Sequence, residues 1–313
     1  MTKKETSFLS VDGKTNIHVI QWIPEKEPYK AILQITHGMV EFIDRYDKFA
    51  SFLSDNGILV VGHDHLGHGE SVVTKEDWGY IGDGTSDWLI ADMHTLRTNT
   101  MKEFPGVPYF MLGHSMGSYM LRKYLARYSE GLAGTIIMGT GYMPESTTKM
   151  AMTISKFLAK LFGWKHRSKF IESCSFAGPY KRYDVTGKDV KNSWLTKDTE
   201  IVDWYYHEPA CTFKFTLNAY MALFEAVLED CRQESVEKIS KDLPVFIVSG
   251  QDDPVGDMGA GVKKVYDMFK EAGNKDVTYR LYENDRHEIL NETDREKVFS
   301  DILAWILVHV EIE

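Results

Sequence analysis

Residues 108–120 read PYFMLGHSMGSYM. Within them, Gly113-His114-Ser115-Met116-Gly117 fits the spacing Gly-x-Ser-x-Gly, between an apolar run and a segment of helical periodicity. A serine hydroxyl is a weak nucleophile until a base takes its proton. It becomes accessible when it stands on a sharp turn from strand to helix, and small residues two positions on either side let the two elements close on each other. The helix start then aims unbonded N–H groups at a developing oxyanion. The chemistry implied is acyl transfer through Ser115. Four histidines follow it that are candidates for the base: His166, His207, His287 and His309. Only His287 comes directly after a strand-like run and a polar turn, Glu283–Arg286. Two adjacent carboxylates, Asp252 and Asp253, lie in the preceding loop, and either fits the role of the base's partner. A second cluster, GHDHLGHGES at 62–71, approaches the metal motif H-x-H-x-D-H. Gly67 stands where that motif wants aspartate, and a zinc ion would need ligands from elsewhere as well.

The elements that must position these residues alternate. Ile17–Trp22, Ala31–Thr36, Ile58–Gly62, Pro108–Leu112 and Thr135–Met138 read as strands. Tyr46–Asp55, Asp87–Phe104 and Met116–Tyr128 read as helices. Short apolar strands between helices predict a mostly parallel, doubly wound α/β sheet covered on both faces. The alternation lapses from about Tyr142 to Val236. It resumes with a strand at Val245–Ser249, a helix at Gly261–Ala272, a strand at Val277–Tyr282 and a helix at Arg295–Val308. We therefore expect one core built from residues 1–141 and 237–313, interrupted by a helical cap over 142–236.

GHSMGS, the upstream loop Thr36-His37-Gly38-Met39-Val40-Glu41, and the later DPVG and RHE segments resemble the monoacylglycerol lipase and lysophospholipase branch of the α/β hydrolases, of the serine aminopeptidase S33 type. The likeness runs over nearly the whole chain and is closest outside residues 142–236. It implies the α/β-hydrolase fold, with Ser115, Asp253 and His287 as catalytic triad. The acid is placed just before Pro254-Val255, which selects Asp253 and leaves Asp252 to cap the loop. It also implies an oxyanion hole from the N–H groups of Met39 and Met116. His37, Gly38, Glu41, Arg45 and His114 are the candidate substrate-binding residues; Glu41 and Arg45 lie where relatives approach the polar head of the substrate, and an ion pair between them at the start of the next helix fits as well. In the same fold, D-x-x-G-x-G-x-S is a loop after a central strand. This makes Gly67 and Gly69 tight-turn residues and Asp64 an acceptor of backbone N–H groups. The implied substrate is a carboxylic ester with one acyl chain, such as a monoacylglycerol or lysophospholipid, cleaved without cofactor or metal. An amide- or peptide-cleaving enzyme of proline-iminopeptidase type uses the same triad; it needs an acidic cap residue, for which Glu172, Asp203 and Glu208 are available. A non-catalytic receptor on a hydrolase scaffold fits less well, because every catalytic position is filled.

Composition narrows the remaining classes. Of 313 residues, 43% are hydrophobic and 26% charged, with a formal net charge of −10, which argues against nucleic acid as the partner. The N-terminal MTKKETSFLS carries no apolar h-region and VHVEIE no lipidation motif, so a cytoplasmic location is expected. Three cysteines in such a length make no disulfide framework. One segment runs against the overall charge. Residues 149–169 hold six Lys and Arg and no Asp or Glu, with Met150, Ile154, Phe157, Leu158, Leu161 and Phe162 at helical spacing. Either the helix buries its apolar face over a pocket, or it makes peripheral contact with an anionic membrane or micelle. The cap's later aromatic residues (Trp194, Trp204, Tyr205, Tyr206, Phe213, Phe215, Phe224) suit a roof over an acyl chain and a helical core equally.

Overall fold

The computed structural model describes residues 1–82 and 84–310. Eight strands form one sheet: β1 (Thr2–Leu9), β2 (Asn16–Ile23), β3 (Ala31–Thr36), β4 (Ile58–His63), β5 (Tyr109–His114), β6 (Gly134–Met138), β7 (Val245–Gly250) and β8 (Val277–Tyr282). Their order is β1-β2-β4-β3-β5-β6-β7-β8. The first two pairings are antiparallel and every later one is parallel. The fold is thus the expected α/β-hydrolase sheet.

The five strands from β3 to β7 are buried throughout, which is why they read as unbroken apolar runs. Their residues alternate between two cores. Leu33, Val60, Phe110 and Leu112 face one layer with α1 (Asp47–Asp55) and α10 (Arg295–Val310). Ile32, Leu59, Tyr109 and Met111 face the other, with α2 (Ser86–Glu103), α3 (Met116–Tyr128) and α9 (Ala260–Glu271). Each such side chain stabilises the fold by about 1.5–3 kcal/mol on burial.

Strand β1 has no counterpart in the sequence reading. Its residues are exposed almost from end to end, so no apolar alternation betrays it. Ladder hydrogen bonds to β2 and surface ion pairs hold it instead, among them Lys3 with Asp44 and Asp47, and Lys4 with Glu103.

Between β6 and β7 the chain leaves the sheet. It forms α4 (Glu145–Phe162), α5 (Lys169–Ser175), α6 (Thr199–His207), α7 (Leu217–Asp230) and the short α8 (Gln233–Val236). Helix α7 is largely built into the core, where Leu217, Tyr220, Phe224 and Val227 pack in the cluster around α3. Helix α4 turns Thr148, Ser155 and Ala159 inward, with Ile154 and Leu158 half-buried beside them. Its opposite side is also apolar, with Met150, Phe157, Leu161 and Phe162 each about 60% exposed. The helix is thus apolar on two faces, one packed inward and one exposed.

The loop after β4 gathers four buried histidines. His37 lies against His65 and His68, and His63 against His65, with ring centroids 4.5–5.2 Å apart. Burial holds all four pKa values down, to about 3 for His63 and His68. Asp64 accepts from the N–H groups of Ile43 (2.7 Å) and Glu70 (2.9 Å), and Gly67 and Gly69 adopt positive φ, as the hydrolase-loop reading requires. Among the described residues no group of His, Cys, Asp and Glu has the arrangement of a metal site. In the unfolded chain a histidine takes up a proton near pH 6.5, whereas in the fold His63 and His68 do so only near 3. Between these values unfolding binds protons, so this stability is complete above pH 6.5 and is lost as pH falls, by up to about 1.4 kcal/mol per pH unit per histidine. Among the described residues, neither ring nitrogen of His63 has a hydrogen-bond partner. We expect His63→Leu to flatten the fall of Tm between pH 6.5 and 5. An unchanged slope would contradict this account of the cluster.

Candidate active site

Ser115 stands between β5 and α3 with φ 54° and ψ −121°. This is a sparsely populated backbone region for a non-glycine residue and costs on the order of 1–3 kcal/mol. The packing that compels it is visible at two glycines. A Cβ on Gly113 would come within 2.4 Å of the Gly117 carbonyl oxygen, and one on Gly117 within 2.0 Å of the Thr36 carbonyl oxygen. Only glycine lets α3 approach β5 and β3 this closely. The Ser115 N–H donates to the Met138 carbonyl at 3.0 Å, tying the turn to β6.

The loop after β3 closes against this turn. A Cβ on Gly38 would lie 3.0 Å from that of Ser115. The Gly38 N–H donates to Glu41 Oε1 at 2.5 Å and is thereby occupied. Met39 is the next backbone donor along the loop. Met116 is the first residue of α3, where an N–H has no acceptor within the helix.

Asp253 follows β7 and His287 follows β8. His287 Nδ1 lies 3.0 Å from Asp253 Oδ2, with both side chains buried. The same carboxylate accepts from Ser249 Oγ (2.9 Å) and the Val255 N–H (2.8 Å). Burial alone would push the Asp253 carboxyl up, but the charge and hydrogen bond of His287, aided by these donors, hold it below its ordinary value. Asp252 has a different setting. It is half-exposed, and only its backbone is engaged, with Asp285 and with the Tyr183 hydroxyl. Gly139, at the end of β6, would bring a Cβ to 3.1 Å from both His287 Cε1 and His114 Cδ2. Ser115, Gly139, Asp253 and His287 thus share the carboxyl edge of four neighbouring parallel strands, where open α/β sheets bind ligands.

The residues expected near a polar head group are turned inward. Arg45 is buried between two carboxylates, 2.8 Å from Glu41 and paired at both nitrogens, also at 2.8 Å, with Glu288. Glu41 Oε1 also receives Tyr46 Oη (3.0 Å) and His114 Nδ1 (3.2 Å). His114 Nε2 faces the His287 carbonyl at 3.3 Å. Both ring nitrogens of His114 therefore face acceptors, as in an imidazolium. Burial opposes that charge, but the Glu41 hydrogen bond prevails and raises the His114 pKa. In turn His114 and Arg45 overcome the burial of Glu41 and hold its carboxyl well below the usual range. His37 Nε2 accepts the His65 N–H (2.9 Å), leaving Nδ1 to donate to the Gly38 carbonyl (2.7 Å). These side chains bind one another, so head-group contact is not where the structure places them. Glu288 was not singled out in the sequence; its adjacency to His287 was the available signal.

The acidic cap residues considered for an amine substrate are also engaged elsewhere. Glu172 pairs with Lys214 at 2.7 Å, Glu208 caps the Ala210 N–H, and Asp203 is exposed beside His207.

A profile of the serine aminopeptidase S33 family matches residues 27–294, and the chain belongs to that family of α/β hydrolases. It is 24% identical over 310 residues to a monoacylglycerol lipase of Mycolicibacterium smegmatis, covering 99% of both chains. It is 25% identical over 297 residues to human monoglyceride lipase, covering 91% of this chain and 84% of that one. Among solved structures it superposes with a TM-score of 0.90 on a thermostable carboxyl esterase from Bacillus coagulans in complex with glycerol, at 28% identity and 99% coverage of both.

The two adjacent carboxylates give a direct contrast. Asp253→Asn is expected to lower kcat for a soluble ester by on the order of 10⁴, since the imidazole loses the partner that fixes its tautomer. Asp252→Asn is expected to stay within about threefold of wild type. The reverse order would move the acid to Asp252.

Proposed function

We propose that the protein hydrolyses carboxylic esters bearing one acyl chain, of the monoacylglycerol or lysophospholipid kind, with Ser115, His287 and Asp253 as its triad. That the chain is an ester-hydrolysing enzyme follows from its relatives, lipases and an esterase that match 91–99% of it. The observation that carries the residue assignment is the buried Asp253–His287 pair on the strand edge that also holds the strained Ser115 turn. Asp253 occupies Nδ1, so Nε2 is the nitrogen free to take a proton.

In this reading His287 removes the Ser115 proton as Oγ attacks the ester carbonyl. The N–H groups of Met39 and Met116 hold the oxyanion, each worth about 2.7–4 kcal/mol by analogy with other oxyanion holes. The alcohol leaves with the proton from His287, and water then releases the acid by the same route. No step calls for a cofactor. Residues 142–236 act as the cap.

The exposed side of α4 has a part in this scheme. Met150, Phe157, Leu161 and Phe162, continued by Trp164 and Phe170, form an apolar outer surface. Lys156, Lys160 and Lys169 are exposed on the same stretch. A basic, apolar ridge on a protein of net charge −10 fits an anionic lipid surface, where substrates with one acyl chain collect. Among the described residues no helix is long and apolar enough to cross a membrane, so the contact would be peripheral.

One experiment tests substrate and surface together. Wild type should turn over a long-chain monoacylglycerol in anionic vesicles with higher kcat/KM than a short soluble ester. Phe157→Ser/Leu161→Ser should lose at least about tenfold on vesicles and little on the soluble ester, consistent with the loss of two buried apolar side chains. Equal rates on both substrates in wild type would remove the lipid reading. An unaffected double variant would remove the surface.

A further inference from the structure

Residues 183–198 of the cap lie along the loop that carries His287. The His287 N–H donates to the Trp194 carbonyl (3.4 Å) and the Glu288 N–H to the Leu195 carbonyl (2.8 Å). Arg286 reaches the carbonyls of Ser193, Lys191 and Thr196. Thr196 Oγ1 donates to the Asn291 carbonyl (3.0 Å), and Lys197 Nζ pairs with the buried Asp285 (2.8 Å). Tyr183 Oη adds a bond to the Asp252 carbonyl (2.8 Å), on the loop of the acid. This stretch is a strap fastened to both loops, in contrast to the outward face of α4.

At its centre the Trp194 indole stacks on the His287 ring, with centroids 5.0 Å apart and planes 29° apart. The indole is itself fixed by Phe176 and Tyr180, edge-on at 5.9 and 5.3 Å, and is 9% exposed. The other ring against His287 is His114, at 4.8 Å and 35°. Gly139 leaves room for Cε1 and no more. His287 is therefore enclosed by two rings, with Asp253 holding Nδ1.

Each neighbour has a physical consequence. An imidazole held only by one hydrogen bond can swing about it, and here the swing is blocked by the indole. His114 also faces acceptors at both nitrogens, an arrangement that favours a positive charge behind the base. A second positive charge, formed when His287 takes the serine proton, is repelled from that side. The π face of an indole attracts a cation, the more so where water is excluded.

We propose that Trp194 is a positioning residue for the reaction: the cap strap presses its indole onto His287, fixes the ring's orientation and favours its cationic form as the proton is transferred. The inference rests on the reading of His287 as base. It gives the cap a role in the chemical step, apart from any role in binding the acyl chain.

The test compares a ring with an aliphatic side chain at this position. Trp194→Phe keeps a stacking face; Trp194→Leu and Trp194→Met fill space without one. With a short soluble ester, the Leu and Met variants should lose kcat by on the order of tenfold while KM changes less than about threefold, a loss of about 1.4 kcal/mol that lies inside the cation–π range. Trp194→Phe should keep at least about a third of wild-type kcat. Phosphonylation by a small fluorophosphonate, which reports the readiness of Ser115 without the cap's acyl site, should slow in parallel. Two aliphatic variants are used so that failure of one to fold does not decide the matter. If Phe, Leu and Met lose kcat equally, the indole serves only to fill space. If KM rises while kcat and phosphonylation hold, Trp194 is a pocket wall. Either result overturns the inference. Wild-type protein that Ser115→Ala leaves equally active would overturn the triad instead, and the two failures are thereby distinct.

Discussion

Arg45 joins parts of the chain that are 243 residues apart. Its guanidinium lies between Glu41, which holds the Gly38 N–H, and Glu288, which follows His287. One buried cation thereby sets the loop after β3 and the loop after β8 against each other. The desolvation of these three groups is costly, and their mutual pairing offsets it only because the geometry is bidentate and the remaining oxygens are bonded. Removing Arg45 alone would strand the buried Glu288 carboxylate and leave Glu41 to His114, a loss of about 3–5 kcal/mol. The rings of Tyr205 and Trp204 cover it from the cap, 4.9 and 6.0 Å from the guanidinium carbon. Helix α6, the loop after β3 and the loop that holds His287 are thus coupled at one charge.

Much of this was legible in the sequence, for physical reasons. Strands β3 to β7 are buried on both faces, so their apolar runs stand out. Gly113 and Gly117 are demanded by close backbone approach, and a spacing motif records such demands well. Asp252 and Asp253 could be separated only by resemblance, because a carboxylate's partner is a matter of side-chain direction. The structure turns Asp253 to His287 and leaves Asp252 half-exposed. Strand β1 was illegible because its residues are exposed and ladder hydrogen bonds have no side-chain signature. The inward packing of Glu41, Arg45 and His114 was illegible because it depends on Glu288, far along the chain.

The segment between β6 and β7 divides into parts with different attachments. Helix α7 belongs to the core, and its aromatic residues pack there. Phe213 and Phe215 reach the buried histidines through His68, at 5.4 and 5.3 Å. The strap at 183–198 is bonded to the loops of Asp253 and His287. Helix α4 presents four large apolar side chains to solvent on one side while packing on the other. On the proposed reading, the strap serves the chemistry and α4 meets the lipid surface, so substitutions in the two should separate chemical rate from interfacial activity.

The central claim is that acyl transfer passes through Ser115 with His287 as base. The direct measurement is to mix the enzyme with an activated ester, quench in acid within the first turnover, and map the protein by mass spectrometry. The account predicts one acyl group per chain on the peptide containing Ser115, and little or none over the same interval in His287→Ala. Full turnover with no adduct, or an adduct on another residue, would contradict it.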